Sequence, residues 1–217
     1  MALKVLIMIF FVMIAVGDVF AVKYDKEKIR YFTKTLLLPL LALFYIISVV
    51  NLSGPILSAL ICCFLGDIFL LWSQKKTFFI VGLLSFLMGH VFYIIAFLQT
   101  TSYLSGIPGW FYFSLLPYIW YGAFILKKLN PYLHSMKVLV IVYLNIILIM
   151  SFASFTRIWI LTGLSFWLPF IGSIFFIASD SLLAFRNFKG KLSRGYASIM
   201  ITYIFAQFLI VFGFLYV

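Results

Sequence analysis

The stretch ICCFLGDIFLLW (Ile61–Trp72) decides the fold, because it is apolar throughout except for one carboxylate, Asp67. Taking a charge out of water without a partner is costly, so such a run is unusual in a soluble domain. The whole chain has the same character: 66% of its residues are hydrophobic, 10% are charged, and the mean hydropathy is +1.22. A soluble domain of 217 residues cannot hide that much apolar surface in one core. The sequence therefore predicts a polytopic membrane protein.

Apolar runs long enough to cross the hydrocarbon core, about 20 residues each, recur along the chain. We predict eight transmembrane helices, at roughly residues 3–22, 32–50, 55–73, 78–98, 109–126, 136–155, 165–185 and 195–216. The first run begins like a signal peptide but continues far enough to span, so we interpret it as a retained helix. The expected fold class is all-α, with a single eight-helix transmembrane domain over residues 1–217.

Basic residues alternate between successive loops of this prediction. Thirteen of the 16 Lys and Arg residues fall in the first, third, fifth and seventh loops: Lys23, Lys26, Lys28, Arg30, Lys75, Lys76, Lys127, Lys128, Lys137, Arg186, Lys189, Lys191 and Arg194. By the positive-inside rule these loops face the cytoplasm, and both termini lie on the non-cytoplasmic side. We expect a multi-pass protein of the bacterial inner membrane. The loops also account for the formal net charge of +11, so nucleic acid is not an expected partner.

Asp67 and Asp180 are acidic residues inside apolar segments, where an ionisable side chain is a functional-site candidate. The structural alternative is an ion pair with Lys34 or a satisfied group in the bundle interior. Counting back from Lys75 and Arg186 at about 1.5 Å per residue puts the two carboxylates roughly 12 Å and 9 Å from the same membrane edge. Similar depth is a necessary condition for a shared site.

Other polar residues lie in the neighbouring predicted helices. His90 and Tyr93 are three residues apart, and Tyr203 and Gln207 are four apart, so each pair shares a helix face. Lys34 opens the second helix near the inner surface, where it could instead snorkel to the interface. A histidine or tyrosine in a helix bundle is also often a packing residue. Together, however, these side chains and the two Asp residues predict one inward-facing polar cluster.

The titratable residues lead to three further interpretations, one for Asp18 and two for the function. Asp18, near the inner end of the first helix, is expected within reach of water. Zinc usually takes three or four His, Cys or carboxylate ligands, and the chain has only His90 and His134 as imidazoles. His90, Asp67 and Asp180 could supply three ligands, which keeps a metal-dependent lipid amidase of the ceramidase kind as an alternative. A proton-coupled transporter is another, because intramembrane Asp and His residues can relay protons. We expect neither a metal nor a cofactor.

Four motifs, in order, resemble the YhhN family of integral membrane proteins, which includes the lysoplasmalogenases: LGDIFLL (65–71), GLLSFLMGHVFYIIAF (82–97), ASDSLLAF (178–185) and TYIFAQFLI (202–210). The family pattern near the second helix is Thr-Lys-Pro, whereas this chain has Thr33-Lys34-Thr35 and keeps only the lysine. The resemblance implies hydrolysis of the vinyl ether bond of lysoplasmalogens within the bilayer. The products would be a fatty aldehyde and glycerophosphoethanolamine or glycerophosphocholine.

The residues suit this chemistry independently of the resemblance. Protonation of the vinyl ether β-carbon gives an oxocarbenium ion, which water attacks to form a hemiacetal that collapses to the aldehyde. This sequence needs a proton donor and a base, as in paired glycosidase carboxylates, and two buried carboxyl groups can share one proton at neutral pH. We therefore expect Asp67 and Asp180 to be the acid and base in either order, with His90 orienting water or shuttling protons.

The remaining cluster residues are expected to bind the lysophospholipid substrate: Lys34, Tyr93, Tyr203 and Gln207. Tyr93 would assist His90 in orienting water. Tyr203 and Gln207 would bind the glycerol hydroxyl or the hemiacetal. Lys34 would meet the phosphate as a point charge.

Overall fold

A computed structural model describes residues 2–102, 106–190 and 195–217, and all regular secondary structure in these ranges is helical. The long helices are α1 (Ala2–Lys23), α2 (Glu27–Ser48), α3 (Gly54–Leu71), α4 (Lys76–Thr100), α5 (Leu116–Leu129), α6 (Lys137–Thr156), α7 (Leu164–Ala184) and α8 (Gly195–Gly213). With their short helical extensions, eight segments of the described chain are long and apolar enough to cross a membrane. The prediction of an all-α, eight-helix membrane protein is therefore confirmed.

The helix boundaries differ from prediction at three places. Helix α2 begins at Glu27, five residues before the expected start at residue 32. The prediction started too late because it counted apolar residues, and the first turn of α2 is charged. The predicted fifth helix is in two pieces, a 3₁₀ segment (Gly109–Leu115) followed by α5. Helix α7 continues into a π turn (Phe185–Lys189), which carries Arg186 and Lys189.

The helices pack mainly as antiparallel neighbours. The most extensive contacts are within the pairs α7/α8, α3/α4 and α1/α2, while α6 packs on α4 and α7, and α8 closes against α1. Large apolar side chains such as Val12, Met13 and Phe205 remain about half exposed on the outside. Backbone groups cannot bond to lipid, so helices that satisfy their own hydrogen bonds and expose apolar side chains are the expected solution.

One end of the bundle carries nearly all the basic side chains, and we call it the basic end. It comprises the turns that follow α1, α3, α5 and α7, which lie close enough for Lys76 to donate to Ser135 Oγ at 3.4 Å. Lys191 and Arg194, which the sequence analysis assigned to the seventh loop, lie outside the described residues. Arg157 lies beyond the other end of α6, where it is fully buried and its guanidinium carbon lies 4.6 Å from the centroid of the Phe214 ring.

Candidate active site

A buried ion pair joins α2 to α3 near the basic end. Lys34 Nζ lies 2.7 Å from Asp67 Oδ1, and the two side chains are only 5% and 2% exposed. Asp67 lies four residues before Leu71, the last residue of α3, so the pair lies about one turn inside the bundle. From the sequence, Lys34 was expected to meet the phosphate, and an ion pair with Lys34 was the structural alternative for the buried Asp residues. The structure shows this ion pair, with the ammonium group turned inward to Asp67.

The second oxygen of Asp67 ends a chain of hydrogen bonds from α8 and α4. Tyr203 Oη donates to Asp67 Oδ2 at 2.6 Å, and Gln207 Nε2 donates to Tyr203 Oη at 3.5 Å. Tyr93 Oη in turn donates to Gln207 Oε1 at 2.5 Å. All four side chains are buried. Asp67 thus accepts hydrogen bonds on both oxygens, and one of the two donors is a cation.

Asp180, near the end of α7, has a different environment. It lies four residues before Ala184, the last residue of α7, and accepts a hydrogen bond from Tyr143 Oη on Oδ2 at 2.5 Å. Among the described residues no Lys or Arg nitrogen lies within 4.0 Å of it. Two small cavities of about 30 Å³ each touch Asp180 and Tyr143 from opposite sides of α6 and α7. A cavity of this size has room for a water molecule.

His90 is the fully buried neighbour of Asp180. Its Nε2 lies 3.7 Å from Asp180 Oδ2, beyond hydrogen-bond distance, and neither ring nitrogen has a hydrogen-bond partner in the described chain. The ring meets Tyr143 and Phe176 edge-on, with centroids 5.4 Å and 4.7 Å away. Buried polar atoms are normally satisfied, so this histidine is set up to bond to a water or a substrate atom.

Phe176 separates the two carboxylate environments. Its ring centroid lies 4.7 Å from that of His90 and 5.7 Å from that of Tyr203. The structure thus brings the predicted residues of α2, α3, α4, α7 and α8 into one region with two compartments: Asp67 with its donors, and Asp180 with His90.

Two glycines let α3 and α4 approach at the level of the site. A Cβ atom on Gly66, the residue before Asp67, would lie 2.6 Å from a ring carbon of Phe86. A Cβ atom on Gly89, the residue before His90, would lie 2.7 Å from Cys63 Sγ. Small residues at such positions allow membrane helices to pack closely. These glycines therefore allow close packing of α3 and α4, the helices that carry Asp67 and His90.

The expectation that Asp18 lies within reach of water is wrong. Asp18 is fully buried, because the first turns of α2 cover it, and Thr33 Oγ1 donates to its Oδ1 at 2.7 Å. Its Oδ2 has no partner in the described chain. Thr33 precedes Lys34, so Asp18 belongs to the edge of the same polar cluster.

Tyr143 was not predicted from the sequence. It lies in the apolar run of α6, yet its hydroxyl makes the one hydrogen bond that Asp180 accepts among the described residues. A single tyrosine in an apolar run belongs to no periodic pattern that would identify it, and its partner Asp180 lies 37 positions away in the sequence. The available signal was only its location inside a span, away from the interfaces where tyrosine is frequent.

The metal-dependent alternative would need a cluster of metal-binding side chains. Within the described ranges no group of three or more His, Cys, Asp or Glu side chains is placed to hold a metal ion. Lys34 and Tyr203 donate to the two oxygens of Asp67, so Asp67 is not free to bind a metal ion together with His90 and Asp180.

Fold and site together define a multi-pass α-helical membrane protein with a buried polar cluster near one end of its bundle. The model of the YhhN family matches residues 29–214, and the chain belongs to this family. A curated human relative, lysoplasmalogenase TMEM86A, is 31% identical over 154 residues, covering 67% of this chain and 58% of the relative. The match therefore spans less than two thirds of that protein's length. No solved structure matches the chain.

Proposed function

We propose that the protein is a hydrolase that cleaves the vinyl ether bond of lysoplasmalogens, releasing a fatty aldehyde and glycerophosphoethanolamine or glycerophosphocholine. Family membership and the name of the human relative support the reaction class. The observation that carries the proposal is the contrast between the two carboxyl groups. Asp67 is bonded to a cation, whereas Asp180 has no Lys or Arg within 4.0 Å in the described chain and borders water-sized cavities.

Asp180 is the proton donor in this proposal. Burial away from cations favours the neutral form of a carboxyl group, and Tyr143 holds one of its oxygens in place. The proton passes from Asp180 to the β-carbon of the vinyl ether, and the positive charge appears on the α-carbon and the ether oxygen. Asp67 is not suited to this step, because Lys34 and Tyr203 already donate to its two oxygens.

The Asp67 side chain, held by Lys34 and Tyr203, stabilises the oxocarbenium ion electrostatically, as preorganised groups do in a low-dielectric site. His90 is the base for the attacking water. Its unpartnered nitrogen takes one proton as the water oxygen bonds to the α-carbon, and a hemiacetal forms. The hemiacetal then loses its hydroxyl proton, breaks its bond to the glycerol oxygen and passes that proton to this oxygen, releasing aldehyde and the glycerophospho-alcohol. The proton on His90 returns to Asp180, 3.7 Å away, so one water is consumed in each turnover.

The site draws on six helices, α2, α3, α4, α6, α7 and α8, and we propose that residues 1–217 act as one domain. The basic end would face the cytoplasm by the positive-inside rule, in a bacterial inner membrane. The substrate would enter from the bilayer as a single-chain lysophospholipid.

Aldehyde release by the purified protein in detergent tests the reaction. We expect hydrolysis of alkenyl lysophospholipids but not of alkyl analogues, which cannot form the oxocarbenium ion by protonation. Asp180→Asn should lower kcat by about 10²–10⁴-fold, the usual contribution of a general acid. The matched control is Asn145→Leu on the exposed face of α6, which should leave kcat unchanged. Full activity in a folded Asp180→Asn protein would overturn the proposal.

A proton-coupled transporter is the second candidate, and the unpartnered His90 beside Asp180 is the observation that favours it. Detergent solution separates the two functions, because no gradient can exist there. Aldehyde released without a gradient supports the hydrolase. Absence of release, together with proton-driven uptake in sealed vesicles, would support the transporter.

A further inference from the structure

A cavity of about 640 Å³ opens at the basic end, above the buried cluster. It lies between the turn that joins α1 to α2, the end of α3 and the π turn after α7. Its charged lining residues are Asp25, Lys26, Glu27, Arg30 and Arg186. The volume is far larger than the two water-sized cavities beside Asp180. Such a polar space at a membrane boundary is where a lipid head group would lie.

Two guanidinium groups in this cavity lie on one aromatic ring. The guanidinium carbons of Arg30 and Arg186 are 4.2 Å and 3.6 Å from the centroid of the Tyr196 ring. Within the described chain neither has a carboxylate oxygen within 4.0 Å, and Arg30 Nε is buried without a hydrogen-bond partner. Like charges held together in this way repel each other. An anion bound to these guanidinium groups beside the ring would reduce the repulsion and satisfy their free donors.

A phosphate is the anion that fits this pair best. Guanidinium groups present parallel N–H donors that match phosphate oxygens bidentately, and such charge-assisted bonds are the strong ones. The ring of Tyr196 fixes both groups in position, so less side-chain freedom is lost on binding. Lys34 is not available for this purpose, because its ammonium group is bonded to Asp67.

The same cavity also carries negative charge. Asp25 and Glu27 line it, and so does the ring of Tyr31. Carboxylates and an aromatic face are the groups that attract an ammonium ion, including the quaternary ammonium of choline. Cations and anions on one lining complement a zwitterion better than a simple anion, which would meet repulsion from the two carboxylates.

The position of the cavity suits a substrate that reaches the buried cluster. Arg30 precedes Lys34 by one helical turn on α2, and Leu70, in the cavity lining, follows Asp67 by about one turn on α3. One turn is about 5.4 Å along the axis. A glycerol backbone, which separates the phosphate from the ether oxygen by three carbons, covers a distance of that order.

We propose that this cavity binds the zwitterionic phosphoethanolamine or phosphocholine head group of a lysophospholipid, with Arg30 and Arg186 on the phosphate and Asp25 and Glu27 facing the ammonium. The choice of a lysophospholipid rests on the proposed function. The head group is then anchored at the basic end, and the glycerol extends inward toward Asp67 and Asp180.

Binding of a 1-alkyl lysophosphoethanolamine, which the proposed reaction cannot cleave, tests the cavity without catalysis. We expect Arg30→Gln/Arg186→Gln to bind it at least about tenfold more weakly. The control is Lys127→Gln/Lys189→Gln, which removes the same charge from exposed positions of the basic end and should bind like the unmodified protein. Arg30→Lys/Arg186→Lys keeps the charges without the guanidinium geometry and should fall between. Unchanged affinity in a folded double-Gln variant would overturn the proposal.

Two further arms identify the ligand. Asp25→Asn/Glu27→Gln should weaken binding of the ethanolamine lipid but not of an alkyl lysophosphatidic acid, which has no ammonium group. Inorganic phosphate should compete only weakly. If inorganic phosphate displaces the lipid as well as glycerophosphoethanolamine does, and the carboxylate variant binds normally, the cavity is a plain anion site and the head-group proposal is wrong.

Activity separates this proposal from the proposed function. In an active enzyme the double-Gln variant should raise KM for the lysophospholipid and leave its kinetics on a 1-alkenylglycerol, which has no phosphate, unchanged. If no substrate is hydrolysed but the double-Gln variant still loses alkyl-lipid binding, the reaction is wrong and the cavity assignment stands. Hydrolysis that is indifferent to both arginines would contradict the cavity assignment alone.

Discussion

Lys34 Nζ and Asp67 Oδ1 lie 2.7 Å apart in the interior of the bundle, and this ion pair fixes α2 to α3. Tyr203 from α8 donates to the other oxygen of the same carboxylate, so three helices meet at one acidic side chain. A pair buried to this degree is stable only while both members are present, because either one alone would be an uncompensated charge.

Removing one member of the pair should therefore destabilise the protein more than removing both. We expect Lys34→Met or Asp67→Asn alone to cost about 3–5 kcal/mol of unfolding free energy, and the double variant to cost clearly less. Thermal unfolding in detergent measures the difference, with Lys127→Met, at an exposed position, as control. Additive losses in the double variant would show that the two side chains do not act as a pair. In the proposed mechanism the double variant regains stability but not activity.

His90 should be dispensable for stability and needed for activity. Neither ring nitrogen has a hydrogen-bond partner in the described chain, and an unsatisfied buried polar group costs about 1–3 kcal/mol. His90→Phe, which keeps a ring between Tyr143 and Phe176, should thus unfold at the same temperature or higher. Its rate of aldehyde release should fall by about 10²-fold or more. A variant that loses stability and activity in parallel would indicate a packing role instead.

Gly89 should be intolerant of even one added methyl group. Its Cβ would lie 2.7 Å from Cys63 Sγ, so Gly89→Ala should cost about 1–3 kcal/mol, the usual penalty for overpacking. Cys63→Ala in the same chain removes the sulfur atom and should restore part of the loss. Gly54→Ala is the control, since nothing lies within 4 Å of a Cβ there. Equal stability of the Gly89→Ala and Gly54→Ala variants would contradict the close approach of α3 and α4.

Chelators should leave aldehyde release unchanged. The proposed acid and base are Asp180 and His90, and no described group of three or more His, Cys, Asp or Glu residues is placed to hold a metal ion. The measurement is activity after incubation with a strong chelator and again after addition of zinc. Loss on chelation and recovery with zinc would favour the ceramidase-like alternative.

Both termini should lie on the non-cytoplasmic side. Eight spans and a basic end that follows α1, α3, α5 and α7 lead to this orientation. A reporter that is active only in the cytoplasm should remain silent when fused after Val217 and become active when inserted after Ser73. The opposite pattern of signals would invert the topology.

The sequence predicted the fold better than it predicted which side chains contact each other in the candidate site. Apolar length identifies each span, and helical rise placed Asp67 and Asp180 at similar depth, since both depend on the local chain alone. The start of α2 was missed because Glu27 and Arg30 have loop-like charge but extend the helix beyond its apolar part. Charge at a helix end does not distinguish a loop from a solvated first turn.

The partners depend on how distant helices face one another. Lys34 was assigned to the phosphate because its position in α2 is near the basic end, and an ion pair with a buried Asp was only the alternative. The structure shows that ion pair, with Asp67 of α3. Asp18 seemed accessible to water because it is near the end of α1, but α2 covers it. Tyr143 has no sequence neighbour that relates it to Asp180. Rotation of each helix about its axis decides these contacts, and the apolar pattern of a membrane helix hardly constrains that rotation.

The donor chain from Tyr93 through Gln207 and Tyr203 has one further consequence. Each of these groups donates a hydrogen bond in the direction of Asp67, and Gln207 and Tyr203 also accept one from the group before. The three dipoles therefore point the same way. Replacing Asp67 with asparagine would take away the charge that aligns them and allow all three to reverse together. The direction of the Tyr93 hydroxyl in α4 thus depends on a side chain that it never touches. A vibrational label on Tyr93 would detect the reversal in the Asp67→Asn variant.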